Sequence, residues 1–152
     1  MHRRLGEIGA ALNIFGGTAE ETAEETMQPS NHILPGTLAG LKRAGLNDSF
    51  YWMPSATNFP GVDGVLGDTD GHVYAIQATI SEDHKDPNEG IKKVWGHLLP
   101  EVRTGRAWRY VVVAETRRDA EKYVDEFKEK LSDFTLGQDR TRVQVWGCVL
   151  HP

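Results

Sequence analysis

One carboxylate and two polar side chains stand out on the two apolar arms that flank the turn in residues 59–81, FPGVDGVLGDTDGHVYAIQATIS. The carboxylate is Asp63. The polar pair is Gln77 and Thr79, inside YAIQATI. The turn-forming run GDTDG separates them, with glycine for positive φ and aspartate for local side-chain hydrogen bonds. Apolar residues flank it on both sides, so the stretch predicts a β-hairpin. Residues two apart on a strand face the same way, which puts Gln77 and Thr79 on one face. Cross-strand pairing brings Asp63 beside them. An acid next to a polar pair on a buried hairpin suits a divalent metal. The same set also makes a small buried hydrogen-bond network.

The elements around the hairpin must hold it in place. Residues 3–15 predict a short helix weakened by Gly6 and Gly9. Residues 17–28, GTAEETAEETMQ, predict a second, solvated helix with a Thr18–Glu21 capping box. A third is expected from about residue 35 to residue 44, stopped at Gly45. Residues 50–53, FYWM, predict an aromatic strand that leads into the hairpin. After it comes a charged loop with His84 and Lys85. Residues 88–99 then predict a helix, with Asn88 as cap, Ile91, Val94, Trp95, Leu98 and Leu99 as its apolar stripe, and Lys92 and Lys93 on its polar side. Residues 107–114, AWRYVVVA, read as a central strand covered on both faces. Residues 115–134 give the clearest amphipathic helix, and residues 142–150 an alternating strand. The order predicts an α/β fold, a three-layer α/β/α sandwich around a mixed sheet of about four or five strands. The last two strand–helix–strand steps imply right-handed parallel crossovers.

Composition narrows the classes. The chain has 152 residues, with 39% hydrophobic and 26% charged, as expected of one globular domain. No apolar run reaches the roughly 18 residues of a membrane span, so no membrane association is expected. The first residues lack a signal-peptide core, which points to an intracellular location, the nucleus included. The single Cys148 rules out an internal disulfide and a cysteine-built zinc site. The net charge of −5 argues against holding nucleic acid by bulk positive charge. Yet residues 85–118 carry 8 Lys/Arg against 4 Asp/Glu, just after the hairpin. These basic residues make either a solvated surface or a phosphate-facing patch, with Lys93, Arg103 and Arg106 as nucleic-acid contacts. Trp95, Trp108 and Trp146 read as core. No P-loop, dinucleotide fingerprint or nucleophile elbow is present.

The element order, the acid on the first hairpin strand and the polar-x-polar pair on the second resemble the PD-(D/E)XK, restriction-endonuclease-like, nuclease fold. The run Asn58-Phe59-Pro60 with Asp63, then Gln77 and Thr79, His84 and the Trp108-led strand, is similar to the nuclease-like domains of Crinkler and RHS-type proteins. The resemblance spans roughly residues 50–115. It implies residues 31–152 as the nuclease-like domain behind an acidic arm, residues 1–30. It implies Mg2+, which takes hard oxygen ligands, bound by a carboxylate of Asp63 and a carbonyl oxygen of Gln77. It also implies DNA as partner and a catalytic set of Asp63, Gln77, Thr79, His84, Lys85 and Lys92. Two departures from the family pattern matter. Gln77 stands where the family has an acid, and Thr79 where it has a lysine. The lysine's charge would then come from Lys85, Lys92 or Lys93, and a further acid from Glu20, Glu21 or Glu24. The implied activity is metal-dependent DNA cleavage, with homodimers for double-strand cutting. The rival is a catalytically silent member of the same fold that binds protein or nucleic acid. A third expectation is a scaffold domain whose acidic arm docks on a partner.

Overall fold

The computed structural model describes residues 11–17, 22–56, 59–78 and 86–150. The described chain runs β1 (Leu12–Gly17), β2 (Thr22–Met27), a 3-10 helix (Leu38–Arg43), β3 (Phe50–Trp52), β4 (Gly64–Gly67), β5 (His72–Ala78), α1 (Pro87–His97), α2 (Pro100–Arg103), β6 (Ala107–Ala114), α3 (Arg117–Lys130), β7 (Thr135–Leu136) and β8 (Thr141–Val149). The strands form one mixed sheet in the order β2-β1-β8-β6-β5-β4-β3, with β7 pairing on β8. The protein is a mixed α/β fold whose sheet curls into a half-barrel and carries few helices. Among the described residues no helix is long and apolar enough to cross a membrane.

Strand alternation builds two cores. Trp108, Tyr110 and Val112 of β6 join one cluster; Val111 and Val113 join the other. Val73 and Ala75 of β5 go with the first, Tyr74 and Ile76 with the second. All helical contributions fall on the first side: Leu41, Ile91, Val94, Val102, Ala120, Val124 and Phe127. Among the described residues the second cluster comes from strands alone, with Leu12, Ile14, Met27, Tyr51, Leu66, Trp146 and Cys148 alongside β5 and β6. Curling lets a sheet close over its own face without a second helical layer. It also brings Glu25 of β2 within 2.9 Å of Arg109 on β6, although β1 and β8 lie between those strands in the sheet.

The sheet order corrects the expected sandwich. Among the described residues the helices cover one face, and the strands number seven in the main path plus β7. The difference arises in residues 12–27, expected to be helical. They form the antiparallel pair β1–β2, and β1 continues onto β8 with Ile14 opposite Cys148. The glutamates there favour a helix in isolation, but strand pairing and burial of Leu12, Ile14 and Met27 override that propensity. The proposed Thr18–Glu21 capping box lies outside the described residues. The helix expected at 35–44 is a single 3-10 segment, capped by the Thr37 side chain accepting from Gly40 N.

The centre follows the sequence reading closely. β4 and β5 are an antiparallel hairpin with Val65 opposite Ala75. Its turn is held by Asp68, whose Oδ1 accepts from the backbone N–H groups of Asp70 and His72. β5 runs parallel to β6, and β6 parallel to β8, so α1 and α3 lie within parallel connections. Trp52, Trp108 and Trp146 are buried, and Trp95 packs partly buried against Trp108 at 5.3 Å.

Candidate functional site

Asp63 sits one residue before β4, opposite the end of β5. Its backbone N–H donates to Ile76 O at 2.7 Å, extending the ladder that pairs Gly64 with Ile76. Its Oδ2 accepts from Ala78 N at 2.8 Å. The ladder register itself ends at Gly64–Ile76, and Asp63 bonds to the residues on either side of Gln77 rather than to Gln77. The hydroxyl of Tyr110 on β6 lies against two acceptor oxygens, Gln77 Oε1 and, at 2.7 Å, Gly61 O.

The loop before β4 is pressed against the start of α1. Gly61 has φ +69°, and a Cβ there would lie 2.5 Å from Pro87 Cα. A Cβ on Gly90 of α1 would lie 2.0 Å from Pro60 O. Only glycine permits such approaches of backbone to backbone. The N-cap of α1 is Asp86, whose side chain accepts from Asn88 N at 2.9 Å, and Pro87 occupies the first turn. The cap expected at Asn88 is thereby moved to Asp86. Asn88 Oδ1 is buried and has no hydrogen-bond partner among the described residues.

Two carboxylates therefore face this end of the sheet. Burial pushes the Tyr110 phenol well above its ordinary pKa, and the Asp63 and Asp86 carboxylates push it the same way. Tyr51 is likewise raised, by burial first and Asp63 second. Asp63, Asp86, the Gln77 amide and the Gly61 carbonyl supply hard oxygens of the kind that suit Mg2+. Among the described residues no group of three His, Cys, Asp or Glu could hold a metal.

The other sequence candidates scatter. Thr79, His84 and Lys85 lie outside the described residues, as do Glu20 and Glu21. Lys93 pairs with Glu89 at 3.2 Å and lies 5.9 Å from the ring of Phe59, where the Asp63 loop begins. Lys92 turns elsewhere, over Phe134 at 5.6 Å. Arg103 donates to Trp95 O at 2.7 Å and stacks on the Trp95 ring. Arg106 is buried and donates to the carbonyls of Asp68, His72, Gly45, Leu46 and Asp48. That web ties loops together at the start of β5, the end remote from Gln77. Glu24 is exposed on β2, paired in register with Phe15.

A second polar cluster lines the strand-only face. Asp68 Oδ2 meets His72 Nδ1 at 2.8 Å and accepts from Tyr74 OH at 3.5 Å. Arg109 lies over the rings of Trp146 and Tyr74 and pairs with Glu25.

No protein-family model matches the chain, and neither a curated protein nor a solved structure does. The sequence reading missed Asp86 and Tyr110. Asp86 carried a signal, because Asp-Pro-Asn is a helix-start pattern. Tyr110 carried none, since an aromatic in AWRYVVVA reads as core.

Proposed function

We propose that the chain is a metal-dependent DNA endonuclease domain of the Crinkler and RHS-type kind, hydrolysing a phosphodiester at the Asp63–Gln77 end of the hairpin. The observation that carries this reading is the bonding of Asp63 to Ile76 and Ala78, the two neighbours of Gln77 at the end of β5. The core β3-β4-β5-β6-β8, an antiparallel meander followed by two parallel strands, is the five-stranded part that corresponds to the resemblance. Asp63 and the Gln77 carbonyl would hold Mg2+, with Asp86 as the further acid in place of the N-terminal glutamates. The metal would polarise the attacked phosphate and activate water. Lys93, on the Phe59 side of α1, is the described lysine best placed to offset phosphate charge; Thr79, His84 and Lys85 lie outside the described residues.

One observation favours the rival reading, a silent nuclease-fold module that binds nucleic acid or protein. The Gln77 amide is engaged by Tyr110, and an uncharged amide is a weaker ligand than a carboxylate. Incubation of supercoiled plasmid with Mg2+ or Mn2+ separates the two. Cleavage by the wild type that Asp63→Ala abolishes supports the nuclease. Absence of cleavage, or cleavage unchanged in Asp63→Ala, rejects it.

A further inference from the structure

We infer that Arg109 is the anchor of an oxyanion site on the strand-only face, and that Glu25 is its built-in occupant. Arg109 stands inside the apolar run AWRYVVVA, near the start of β6. Its register partners on the neighbouring strands are Tyr74 and Gln144. Alternation turns it with Val111 and Val113 toward the strand-only core, over the rings of Trp146 at 4.5 Å and Tyr74 at 5.8 Å. Stacking on ring faces holds a guanidinium and leaves its N–H groups to in-plane acceptors. One nitrogen is met: Nη2 pairs with Glu25 Oε2 at 2.9 Å. Nε and Nη1 are buried and have no hydrogen-bond partner among the described residues. Unmet buried donors are costly, more so on a charged group.

The ion pair is lopsided. The Arg109 side chain is 10% exposed and that of Glu25 41%. Glu25 lies on β2, which ends the sheet among the described residues. A half-exposed carboxylate returns to water easily. A buried guanidinium left alone is an uncompensated charge in the interior. Glu25 therefore leaves only as another anion arrives, which is exchange at a site rather than simple opening. The incoming group is a compact oxyanion of the phosphate class. Glu25 satisfies one of the three guanidinium nitrogens, whereas a phosphate brings several oxygens to the same donors. Gln144 adds a donor beside them. Its Oε1 accepts from Trp146 Nε1 at 3.2 Å, so its NH2 end is left to donate. Asp68, a further carboxylate on this face, is already held by His72, Tyr74 and backbone N–H groups. A free phosphate or monoester and a nucleic-acid backbone share this chemistry. The site stands without the metal reading of Asp63, which bonds to the far end of β5.

The test uses the full chain without divalent metal. Two probes, inorganic phosphate and a single-stranded oligonucleotide lacking a terminal phosphate, are titrated into the wild type and Glu25→Gln. The readout is the nitrogen-15 NMR signal of the Arg109 Nε–H group, with calorimetry beside it. In Glu25→Gln the signal is expected to move and saturate with at least one probe, at about tenfold lower concentration than in the wild type. Movement with phosphate alone assigns the site to free phosphate or a monoester; movement with the oligonucleotide assigns it to a nucleic-acid backbone. Acetate should bind more weakly than phosphate, and equal binding of the two overturns the phosphate preference. A signal unmoved by both probes overturns the site, and so does heat of binding without movement of that signal. Equal affinity in the wild type and Glu25→Gln overturns the role of Glu25 as occupant. Where Glu25→Gln fails to fold, the wild-type titration decides by the same signal.

Discussion

The Asp63 carboxylate accepts the backbone N–H of Ala78 at 2.8 Å, closing the open end of the β4–β5 hairpin. Asp63 thus stabilises the fold as well as standing in the candidate site. Removing it by Asp63→Ala leaves a part-buried N–H without its acceptor and is expected to cost about 1–2 kcal/mol. Asp63→Asn keeps an acceptor for Ala78 and should cost less than half as much. Both remove the charge a metal needs. Urea unfolding beside the cleavage assay checks this, and equal destabilisation by the two variants would count against the role of Oδ2.

Gly90→Ala gives a second outcome, opposite to what helix propensity suggests. Alanine in a helix interior is ordinarily better than glycine by about 1 kcal/mol. Here the added Cβ would lie 2.0 Å from Pro60 O and 3.1 Å from Val62 Cγ2. The expectation is a net loss of about 1–3 kcal/mol from overpacking, with the 60–63 loop pushed off α1. Chemical shifts of Val62 and Asp63 should move, and thermal unfolding should shift downward.

Arg106 is a stability residue in this arrangement. Burial depresses its pKa, the Asp68 carboxylate opposes that, and its donors meet loop carbonyls from Gly45 to His72. Arg106→Ala is expected to cost about 3 kcal/mol, since several buried carbonyls lose a charged donor. Arg106→Lys should recover only part of it, because an ammonium lacks the planar fork. Denaturant unfolding measures both, and a neutral Arg106→Ala would reject the account.

Alkaline pH should unfold the protein through its tyrosines. Burial raises Tyr74 from 10.0 to about 12, the Asp68 carboxylate adds to this, and Arg109 opposes it. A raised tyrosine pKa gives stability that is whole below the unfolded pKa and is lost as pH climbs through the folded one. The window is therefore about pH 10 to 12. Tyr74→Phe should make stability fall less steeply there, by about 1.4 kcal/mol per pH unit for one proton. Tyrosinate absorbance of Tyr51 and Tyr110, which are also raised, should appear only as the chain unfolds.

What could be read beforehand was whatever depends on near neighbours. Asp68, Thr69, Asp70 and Gly71 announce their turn locally, and Val65 and Ala75 alternate on either side of it. AWRYVVVA announces a strand buried on both faces, and β6 is one. The position of Asp63 beside the end of β5 was legible because the hairpin ladder leads to it. Strand β2 was not, because Glu24 and Glu25 favour a helix until β1 offers a ladder. Strand β1 in turn depends on Cys148 and Gly147, nearly the whole chain away. The Gln77–Tyr110 contact was equally hidden, since it joins β5 to β6 across α1 and depends on side chains meeting rather than on any local pattern.

The pairing of β1 with β8 also orders events in time. The meander β3–β5 and the parallel strands after it can assemble from contacts made progressively along the chain. The β1–β2 ribbon cannot dock until Thr141–Val149 exists to receive it. Contacts of such long sequence separation form slowly. During synthesis Leu12, Ile14 and Met27 must wait, exposed or sheltered by a chaperone, while the remainder of the sheet is completed. Closure of the half-barrel is thus a late step, with the strand-only core the last to become dry.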